Sequence, residues 1–329
     1  MTHPEKIKEL KEIIQSSLSP IINHNYILID IPYHPNIGDI LIWQGEMDFL
    51  STLPYKCIRM SSNAWRGGNL NSSDNILLHG GGNFGDLYRE MQEYRLFITE
   101  KFPNNRIIMF PQSIWYNDSS LIKKDAKIFS KHPDLHLCAR DQWSYDFLKK
   151  YFSNNIYLIP DLAFFIKEER FKNYINSSNT NKHLYFVRKD KEICSESPIF
   201  IKNKEIGDWP LYGQRNISWS IIHKLLKISK TLWITSPKIG DNSMKIIDQY
   251  CTSILMPKLV TRGIEWLSQY DTVTTTRLHG LILSVLLNKN ITYIDNISGK
   301  LSAFANTWLS DLDNLSPYNP NTSVSLSKI

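Results

Sequence analysis

Short, nearly continuous apolar runs alternate along this chain with segments of helical spacing, and this alternation limits the possible folds more than any other feature. In the first half the apolar runs are YILIDIP (26–32), NILLHGG (75–81), RIIMFPQ (106–112), LHLCARD (135–141) and IYLIPD (156–161). Such runs are typical of strands that are covered on both faces of a parallel sheet. A strand followed by a helix, repeated several times, predicts a doubly wound α/β fold.

A polar segment, KEERFKNYINSSNTNK (167–182), interrupts the alternation, which then resumes with a further apolar run at TLWITSP (231–237) in a strand position. The 329 residues are too many for one ordinary core and enough for two. We therefore predict two Rossmann-like domains that face a cleft, an N-terminal domain over 1–166 and a C-terminal domain over 183–315, followed by a polar tail at 316–329. Ligands are expected where the strand C-termini of the two domains face each other.

Composition and the N-terminal segment bear on the cellular compartment. The chain is 42% hydrophobic and only 21% charged, which is globular and not a disordered composition. No apolar stretch approaches the roughly 20 residues that span a bilayer. The first residues, MTHPEKIKELKEII, lack the apolar segment of a signal peptide. The four cysteines form no CxxC pair, which favours a reducing compartment. We expect a cytoplasmic protein.

The charge is mildly basic, with a formal net charge of +6 and a sequence pI near 8.9. This balance favours anionic substrates or an acidic membrane surface without requiring either. The chain has no block of Lys and Arg with interleaved aromatic residues, so a nucleic-acid partner is not expected.

The stretch TTTRLHGLILS (274–284) joins a β-branched run to an apolar helix. Arg277 and His279 are predicted in the first turn of that helix, behind Thr276 as its cap. Unpaired N–H groups and the helix dipole already make such a position electropositive. An arginine there is poor for stability and well suited to holding an oxyanion. The alternative is a hydrogen-bonded core histidine beside an arginine whose stem covers apolar surface.

Two loops that follow predicted strands of the first domain carry polar residues. HPNIGDILIW (34–43) places Asn36, Gly38 and Asp39 at a strand-to-helix turn. There Asp39 either caps the helix or contacts a sugar hydroxyl and acts as a base. FPQSIW (110–115) brings Gln112 to another strand end, for hydroxyl recognition or for ordinary turn chemistry.

The loop LLHGGGNFGD (77–86) is rich in glycine, which lets backbone N–H groups approach a ligand closely. Gly80, Gly82 and Gly85 match GxGxxG. A dinucleotide site would also need an acidic residue about 20 positions later at the end of a second strand, where this chain has helical sequence. The match therefore does not predict a dinucleotide cofactor.

In the second half, VRKDKE places Arg188, Asp190 and Glu192 just after a predicted strand. From these residues alone, a solvated run of charges is preferred over a binding site as the explanation of this pattern.

A metal site is not predicted. His132 and His136 have the i, i+4 spacing of a helical metal pair. Pro133 between them and the strand-like residues that follow argue against a helix, and no acidic third ligand has a telling spacing.

Eight motifs in order along the chain resemble the successive signatures of the polysaccharide pyruvyl transferase family. They are PNIGDILIWQGEMDFL, LLHGGGNFGDLY, FPQSIW, ARDQWSYDFL, PDLAF, VRKDKE, TTTRLHGLILS and IDNISGKLSAF. The resemblance implies a fold like that of GT-B glycosyltransferases. It also implies transfer of a pyruvyl group from phosphoenolpyruvate (PEP) onto two hydroxyls of a sugar, which forms a cyclic ketal in exopolysaccharide, capsule or cell-wall synthesis. PEP would be a co-substrate, and no cofactor is expected.

Carried over to matching positions, the resemblance implies that Arg188, Arg277, Leu278 and His279 hold PEP. Its carboxylate and phosphate need fixed positive groups and backbone donors, which these residue types supply. Ketal formation requires a proton on C3 of PEP, and we hypothesise that His279 donates it.

The first domain is the expected acceptor side, binding a sugar or a lipid-linked oligosaccharide. Asp39 is the first candidate for the base that deprotonates the attacking hydroxyl, and Asp86 is the second. A lipid-linked acceptor would bring the enzyme to the inner face of the membrane. The expected acceptor-binding residues are Asn36, Gly38, Asp39, Gly81, Gly82, Asn83, Asp86 and Gln112.

Two other functions fit parts of this pattern. A GT-B glycosyltransferase that uses a nucleotide-sugar donor would have the same α/β layout. A non-catalytic sugar-binding or scaffold protein is the alternative from another class, but it leaves the placement of Arg277 and His279 unexplained.

Overall fold

The structure is a computed structural model that describes residues 1–68, 70–175, 181–188, 205–210, 217–295 and 299–318. Within these ranges the chain forms two parallel β-sheets, with α-helices between many of the successive strands. The predicted α/β class is confirmed. None of the helices in the described ranges is both long enough and apolar enough to cross a membrane.

The first sheet has seven strands in the order β2-β1-β3-β5-β6-β7, with β4 paired to β5. All of its strand pairs are parallel. The chain runs from β1 to β2 at one edge and then returns to β3 on the other side of β1, so the direction of winding reverses between β1 and β3. A reversal of this kind opens a crevice at the strand C-termini. The strands are β1 (Tyr26–Ile29), β2 (Cys57–Met60), β3 (Asn75–Leu78), β4 (Gly81–Gly85), β5 (Ile107–Trp115), β6 (Leu135–Ala139) and β7 (Asn155–Leu158).

The second sheet has five parallel strands in the order β12-β11-β10-β8-β9. Its winding reverses between β8 and β10, and the VRKDKE and TRLHG motifs follow these two strands. The strands are β8 (His183–Phe186), β9 (Glu205–Gly207), β10 (Thr272–Thr275), β11 (Asn290–Tyr293) and β12 (Leu315–Pro317).

Ten α-helices lie in the described ranges, and short 3-10 turns follow β7. The helices are α1 (His3–Leu18), α2 (Ile37–Leu50), α3 (Arg89–Lys101), α4 (Ser119–Phe129), α5 (Gln142–Tyr151), α6 (Ile217–Thr235), α7 (Pro237–Tyr250), α8 (Met256–Ser268), α9 (Leu278–Leu286) and α10 (Lys300–Trp308). The five-residue segment Cys251–Leu255 continues α7 into α8 as a π-helical turn.

One hydrophobic cluster joins the two sheets. It includes Leu28 and Leu77 from the first sheet and Phe186 and Val273 from the second. Between them lies α2, almost all of whose residues are buried. A Cβ on Gly45 of α2 would lie 1.8 Å from the Leu162 carbonyl oxygen, so the close approach of this helix to the 3-10 turn requires glycine. A second cluster fills the opposite face of the first sheet.

Local structure differs from the sequence-based prediction at several points. TLWITSP is not a strand: residues to Thr235 complete α6, and Pro237 begins α7. The helical hairpin keeps Met244 and Ile247 of α7 buried, so the apolar residues of this region serve helix packing. Strands β2 and β4 were not predicted. Strand β12 includes the first two residues of the predicted polar tail, and residues 319–329 lie outside the described ranges.

Candidate functional site

A cavity of about 360 Å³ lies where loops after strands of both sheets meet. This volume is in the range of small-molecule sites. Four of its lining residues carry a permanent positive charge and one carries a carboxylate, so the wall is strongly basic. The lining residues are His34, Pro35, Asn36, Asp39, Gly82, Asn83, Tyr88, Met91, Arg140, Arg188, Trp209, Arg277, Leu278, His279 and Lys300.

Arg277 stands at the N-cap of α9, and its own side chain does not cap the helix. The Arg277 backbone N–H donates to Thr275 Oγ1 at 3.0 Å. The predicted cap, Thr276, instead accepts a hydrogen bond from the Arg188 backbone N–H at 2.9 Å. The Arg277 guanidinium donates to both oxygens of Asp208, with an Nη2–Oδ2 distance of 2.7 Å. This bidentate pair is buried. It fixes the orientation of the guanidinium at the cavity wall and offsets part of its charge.

His279 lies in the first turn of α9, as predicted, and its Nε2 is 3.2 Å from Asp161 Oδ2. The same oxygen accepts a hydrogen bond from Arg140 Nη1 at 2.8 Å, and the other accepts the Ala163 N–H at 2.9 Å. Burial raises the pKa of Asp161, but His279, Arg140 and this N–H outweigh it and hold the pKa well below its ordinary value. Asp161 is therefore a carboxylate that links Arg140 and His279.

The glycine segment after β3 is an extended strand, β4, where a turn was expected. Gly81 has a φ of 138°, which disfavours any other residue. The Gly82 carbonyl accepts a hydrogen bond from Lys300 Nζ at 3.1 Å. A Cβ on Gly82 would lie 2.8 Å from Arg140 Nη2. The glycines thus let Arg140 and Lys300 reach the same part of the cavity wall.

The turn before α2 forms the opposite wall. Asn36 caps α2 by accepting the Gly38 N–H at 3.1 Å. The cap considered for Asp39 is therefore supplied by Asn36. Asp39 Oδ2 accepts a hydrogen bond from Asn36 Nδ2 at 2.8 Å. Burial raises the pKa of Asp39, but His34 and the more distant cations of the site outweigh it, and the pKa lies below its ordinary value. A Cβ on Gly38 would lie 2.9 Å from His279 Nδ1.

A second cavity of about 230 Å³ adjoins the first. The two share His34, Asp39, Asn83 and Met91 among their lining residues. The polar residues that line only the second are Asp30, Tyr33, Ser62, Asn63, His79 and His223.

The predicted PEP-binding residues come together at the larger cavity, which Arg188, Arg277, Leu278 and His279 all line. Asp190 and Glu192 of the same VRKDKE motif lie outside the described residues. Of the predicted acceptor-binding residues, Asn36, Asp39, Gly82 and Asn83 line this cavity, and Gly38 and Gly81 adjoin it in sequence.

Two other predicted acceptor-binding residues, Asp86 and Gln112, neither line a cavity nor adjoin one in sequence. Asp86 Oδ2 accepts the backbone N–H groups of Asn117 and Asp118, both at 2.7 Å. Gln112 is buried, and its Nε2 donates to the His79 carbonyl oxygen at 2.7 Å. Both residues hold loops in place behind the site.

Sequence reasoning missed several residues of the site. Arg140, Lys300 and Asp161 belong to the ARDQWSYDFL, IDNISGKLSAF and PDLAF motifs, so their positions were flagged but not their roles. Asp208 gave no signal, because its pairing with Arg277 joins residues 69 positions apart.

The two histidines considered as a metal pair have other partners. His136 Nε2 lies 2.8 Å from Asp134 Oδ1, and His132 Nε2 lies 3.0 Å from the Phe102 carbonyl oxygen. Over the ranges that the structure describes, no cluster of three His, Cys, Asp or Glu residues has the arrangement of a metal site.

Comparison with known proteins identifies the family. The sequence model of the family described as polysaccharide pyruvyl transferase matches residues 36–298, most of the chain. The chain belongs to the polysaccharide pyruvyl transferase family. The putative pyruvyl transferase EpsO of Bacillus subtilis (strain 168) is 32% identical over 304 residues, which are 91% of this chain and 90% of that protein. Pyruvyl transferase 1 of Schizosaccharomyces pombe is 30% identical over 302 residues, 86% of this chain and 69% of that protein.

A solved structure shares the architecture of this pyruvyl transferase family member. A functionally uncharacterized protein of Klebsiella pneumoniae matches with a TM-score of 0.61 at 20% sequence identity, covering 94% of this chain and 98% of that one. At this identity the likeness concerns the fold alone. Membership of the family supports a transferase that moves a pyruvyl group onto a polysaccharide.

Proposed function

We propose that this enzyme transfers the pyruvyl group of PEP onto two hydroxyls of a sugar, in a polysaccharide or its precursor, and releases phosphate. The product is a pyruvate ketal. The observation that carries the proposal is the wall of the larger cavity, where Arg140, Arg188, Arg277 and Lys300 converge. A ligand with a carboxylate and a phosphate matches that charge, because each anionic group needs charge-assisted hydrogen bonds to leave water.

Arg188 and Arg277 are the proposed anchors of PEP, with Leu278 and His279 at the same helix start. Asp161 and Asp208 offset part of the positive charge of Arg140 and Arg277. Their role in the proposal is to orient Arg140 and Arg277 before PEP arrives. Orientation in advance lowers the entropy that binding must overcome.

His279 is the proposed donor of the proton to C3. Protonation at C3 gives C2 cationic character, and an acceptor hydroxyl then adds to C2. Phosphate leaves with the electrons of its C–O bond, and the second hydroxyl closes the ring. The Asp161 carboxylate at 3.2 Å supports the protonated ring of His279.

The acceptor sugar is proposed to bind between the α2 turn and the β4 segment. Asn36, Asp39 and Asn83 carry amide and carboxylate groups into this region, and these groups suit hydroxyl recognition. Gly38, Gly81 and Gly82 keep the backbone close, while Asp86 and Gln112 hold the surrounding loops. Asp39 is the carboxylate in reach of an attacking hydroxyl.

We infer further that the two sheets belong to two domains, 1–166 and 183–315, that face each other across the larger cavity in a GT-B-like arrangement. The lining supports this, since Arg140 follows a strand of the first sheet and Arg277 follows a strand of the second. The hydrophobic cluster that joins the sheets indicates that the two domains move little relative to each other.

We also propose that the enzyme works on the cytoplasmic side of an acidic membrane, bound through the outer face of α6 and α7. Eight of the fourteen exposed large apolar residues in the described ranges lie within residues 221–254. They are Ile221, Leu225, Ile228, Ile234, Ile239, Ile246, Tyr250 and Ile254.

Charge on this α6–α7 face selects the partner. The exposed lysines Lys224, Lys227, Lys238 and Lys245 accompany the apolar residues, and α6 contains no acidic residue. An apolar face flanked by lysines fits an anionic lipid surface. The opposite side of α6 contributes His223 and Leu226 to the second cavity, so a lipid-linked acceptor bound there would have its anchor near the bilayer.

Flotation with liposomes containing acidic lipid tests the membrane proposal. The wild-type protein is expected to float, and Leu225→Ser/Ile228→Ser to remain at the bottom, while Trp143→Ser, an exposed residue elsewhere, floats like the wild type. Failure of the wild type to float, or dimerisation through this face in its place, would overturn the proposal.

The function itself is tested by incubating the protein with PEP and a panel of sugars and lipid-linked saccharides. Phosphate release that depends on the acceptor, with a product heavier by pyruvate minus water, is expected. A glycosyltransferase would ignore PEP and consume a nucleotide sugar, and a scaffold protein would turn over neither.

A further inference from the structure

His79 follows β3, at the point where the winding of the first sheet reverses. Its Nδ1 lies 2.8 Å from Glu46 Oε2 on α2. Glu46 is fully buried, and its Oε1 accepts the Gly80 N–H at 2.9 Å. Both oxygens of this carboxylate are therefore engaged, and the imidazole ring is held in one orientation. The hydrogen bond from Gln112 to the His79 carbonyl oxygen fixes the backbone as well.

The second ring nitrogen of His79, Nε2, is unusual because it is buried without a partner among the described residues. His79 is 3% exposed, and in the part of the chain that the structure describes its Nε2 has no hydrogen-bond partner. A buried polar atom left without a partner costs stability, because it has lost its hydrogen bonds to water. Folding alone gives no reason for this cost, since a hydrophobic residue would fill the position without it. A ligand atom that bonds to Nε2 would supply the reason.

His79 lines the second cavity. Around it stand the hydroxyls of Tyr33 and Ser62, the amides of Asn63 and Asn83 and the carboxylates of Asp30 and Asp39, and none of the described arginines or lysines lines this cavity. Such a wall suits the hydroxyls of a sugar better than it suits the charged groups of PEP. Because the cavity shares Asp39 and Asn83 with the basic one, a hydroxyl bound at His79 would lie beside PEP.

We propose that His79 is the catalytic base that accepts the proton of the acceptor hydroxyl attacking C2, and that Glu46 is its positioning residue. This assignment rests on the proposed function. The O–H bond breaks, its proton passes to Nε2, and the oxygen forms the new bond to C2 while C3 takes its proton from the separate donor. Of the two hydroxyl protons lost by the acceptor, one replaces the proton spent on C3 and the other leaves on the phosphate.

Electrostatics favour His79 over Asp39 in this role. Burial lowers the pKa of His79, but Glu46, with Asp39 and Asp30 farther away, outweighs it and raises the pKa above its ordinary value. The pKa of Asp39 lies below its ordinary value, which makes that carboxylate a weaker base. The charged groups that face His79 are Glu46 and Asp39 on α2, and Asp30 and His34 after β1.

Steady-state kinetics of acceptor-dependent phosphate release, measured on the full chain, tests the assignment. We expect His79→Gln to lower kcat roughly 10²- to 10⁴-fold while the dissociation constant for PEP stays within about threefold of wild type, because PEP contacts the other cavity. The matched control is His136→Gln, which breaks a partly buried histidine–aspartate pair outside the site and should leave kcat unchanged.

Glu46→Gln separates positioning from a purely structural role. Without the carboxylate the cationic form of His79 loses its support, so the acidic limb of the kcat/KM profile for the acceptor should move to lower pH. A residue that only maintained the fold would lower the amplitude of that profile without moving it. Should His79→Gln fail to fold, this shift decides the question.

Three results would overturn the assignment. A near-normal kcat in His79→Gln would remove His79 from the chemistry and leave the pyruvyl transfer intact. Loss of the acidic limb in Asp39→Asn, with the limb unmoved in Glu46→Gln, would make Asp39 the base. A wild-type protein that consumes no PEP with any acceptor would overturn the proposed function and this assignment together.

Discussion

His279 Nε2 lies 3.2 Å from Asp161 Oδ2. His279 is at the start of α9, which follows strand β10 of the second sheet, and Asp161 follows β7, the last strand of the first sheet along the chain. The same aspartate oxygen binds Arg140. The proposed proton donor is thus oriented by a residue from the other half of the chain. The proton donor is therefore placed correctly only when the two sheets pack correctly against each other.

Replacing His279 should abolish turnover and leave PEP binding measurable. Glutamine keeps a hydrogen-bonding side chain of similar length but donates no proton to C3, and loss of a general acid costs roughly 10²- to 10⁴-fold in kcat. On His279→Gln, calorimetry with PEP measures binding, and a phosphate-release assay measures turnover. His24→Gln, at an exposed position, serves as the control. Near-normal turnover in His279→Gln would refute its role.

Arg277→Lys should weaken PEP binding more than it lowers kcat. Lysine keeps the charge but cannot make the bidentate contact that Arg277 makes with Asp208, so its ammonium is no longer held at the wall. We expect the KM for PEP to rise by roughly tenfold or more, the equivalent of one lost charge-assisted hydrogen bond. Arg262→Lys, an exposed position on α8, should leave KM unchanged; equal KM values for the two variants would contradict the assignment.

Two glycines of α2 should respond differently to alanine. A Cβ at Gly45 would lie 1.8 Å from the Leu162 carbonyl oxygen, so Gly45→Ala should lower the free energy of unfolding by about 1–3 kcal/mol, despite the higher helix propensity of alanine. A Cβ at Gly38 would lie 2.9 Å from His279 Nδ1, so Gly38→Ala should displace the proton donor and lower kcat. Denaturant melts and kinetics on both variants check the contrast, which fails if Gly38→Ala is fully active.

Asp248 should make stability depend on pH. Burial raises its pKa from 3.8 to about 6, against the opposing effects of Arg59 and of the hydrogen bond from Tyr33 at 2.9 Å. The folded state then binds a proton more tightly than the unfolded state, so the stabilisation is complete below pH 4 and is lost as the pH rises through 6. Asp248→Asn does not titrate and should gain up to roughly 3 kcal/mol relative to wild type between pH 4 and 7.

Urea denaturation of wild type and Asp248→Asn at pH 4 and at pH 7 measures this difference in the free energy of unfolding. Asn242→Ala, an exposed position on the same helix, titrates nothing and should show a constant offset from wild type. A constant offset for Asp248→Asn as well would show that its carboxyl titrates alike in the folded and unfolded states.

The sequence was sufficient for the parts of the fold that repeat. The apolar runs at 26–32 and 75–81 contain β1 and β3, because strands buried on both faces need continuous apolar sequence. The run at 231–237 has the same composition but forms the end of a helix, since a buried helix segment and a buried strand cannot be distinguished by periodicity over so short a length. Strand β4 was missed because GGNFG has no strand propensity, and only its pairing with β5 makes it extended.

The residues of the candidate site could be predicted from the sequence only where they lie in local motifs. Arg277 and His279 could be placed at a helix start from neighbouring residues alone. Their partners Asp208 and Asp161 are distant in sequence. The sequence alone therefore predicted Arg277 at the start of a helix but not the Asp208 carboxylate that pairs with it. His79 was passed over because its surroundings, a helix carboxylate and a cavity, exist only after folding.

The central claim is that the basic cavity holds PEP with its C3 toward His279. A crystal structure of the inactive His279→Gln variant at saturating PEP measures this most directly. The account predicts that PEP lies in the cavity, with its carboxylate and phosphate within hydrogen-bond distance of Arg188 and Arg277 and its methylene carbon facing position 279. PEP bound elsewhere on the molecule, or an empty cavity in a variant that still binds PEP in solution, would contradict it.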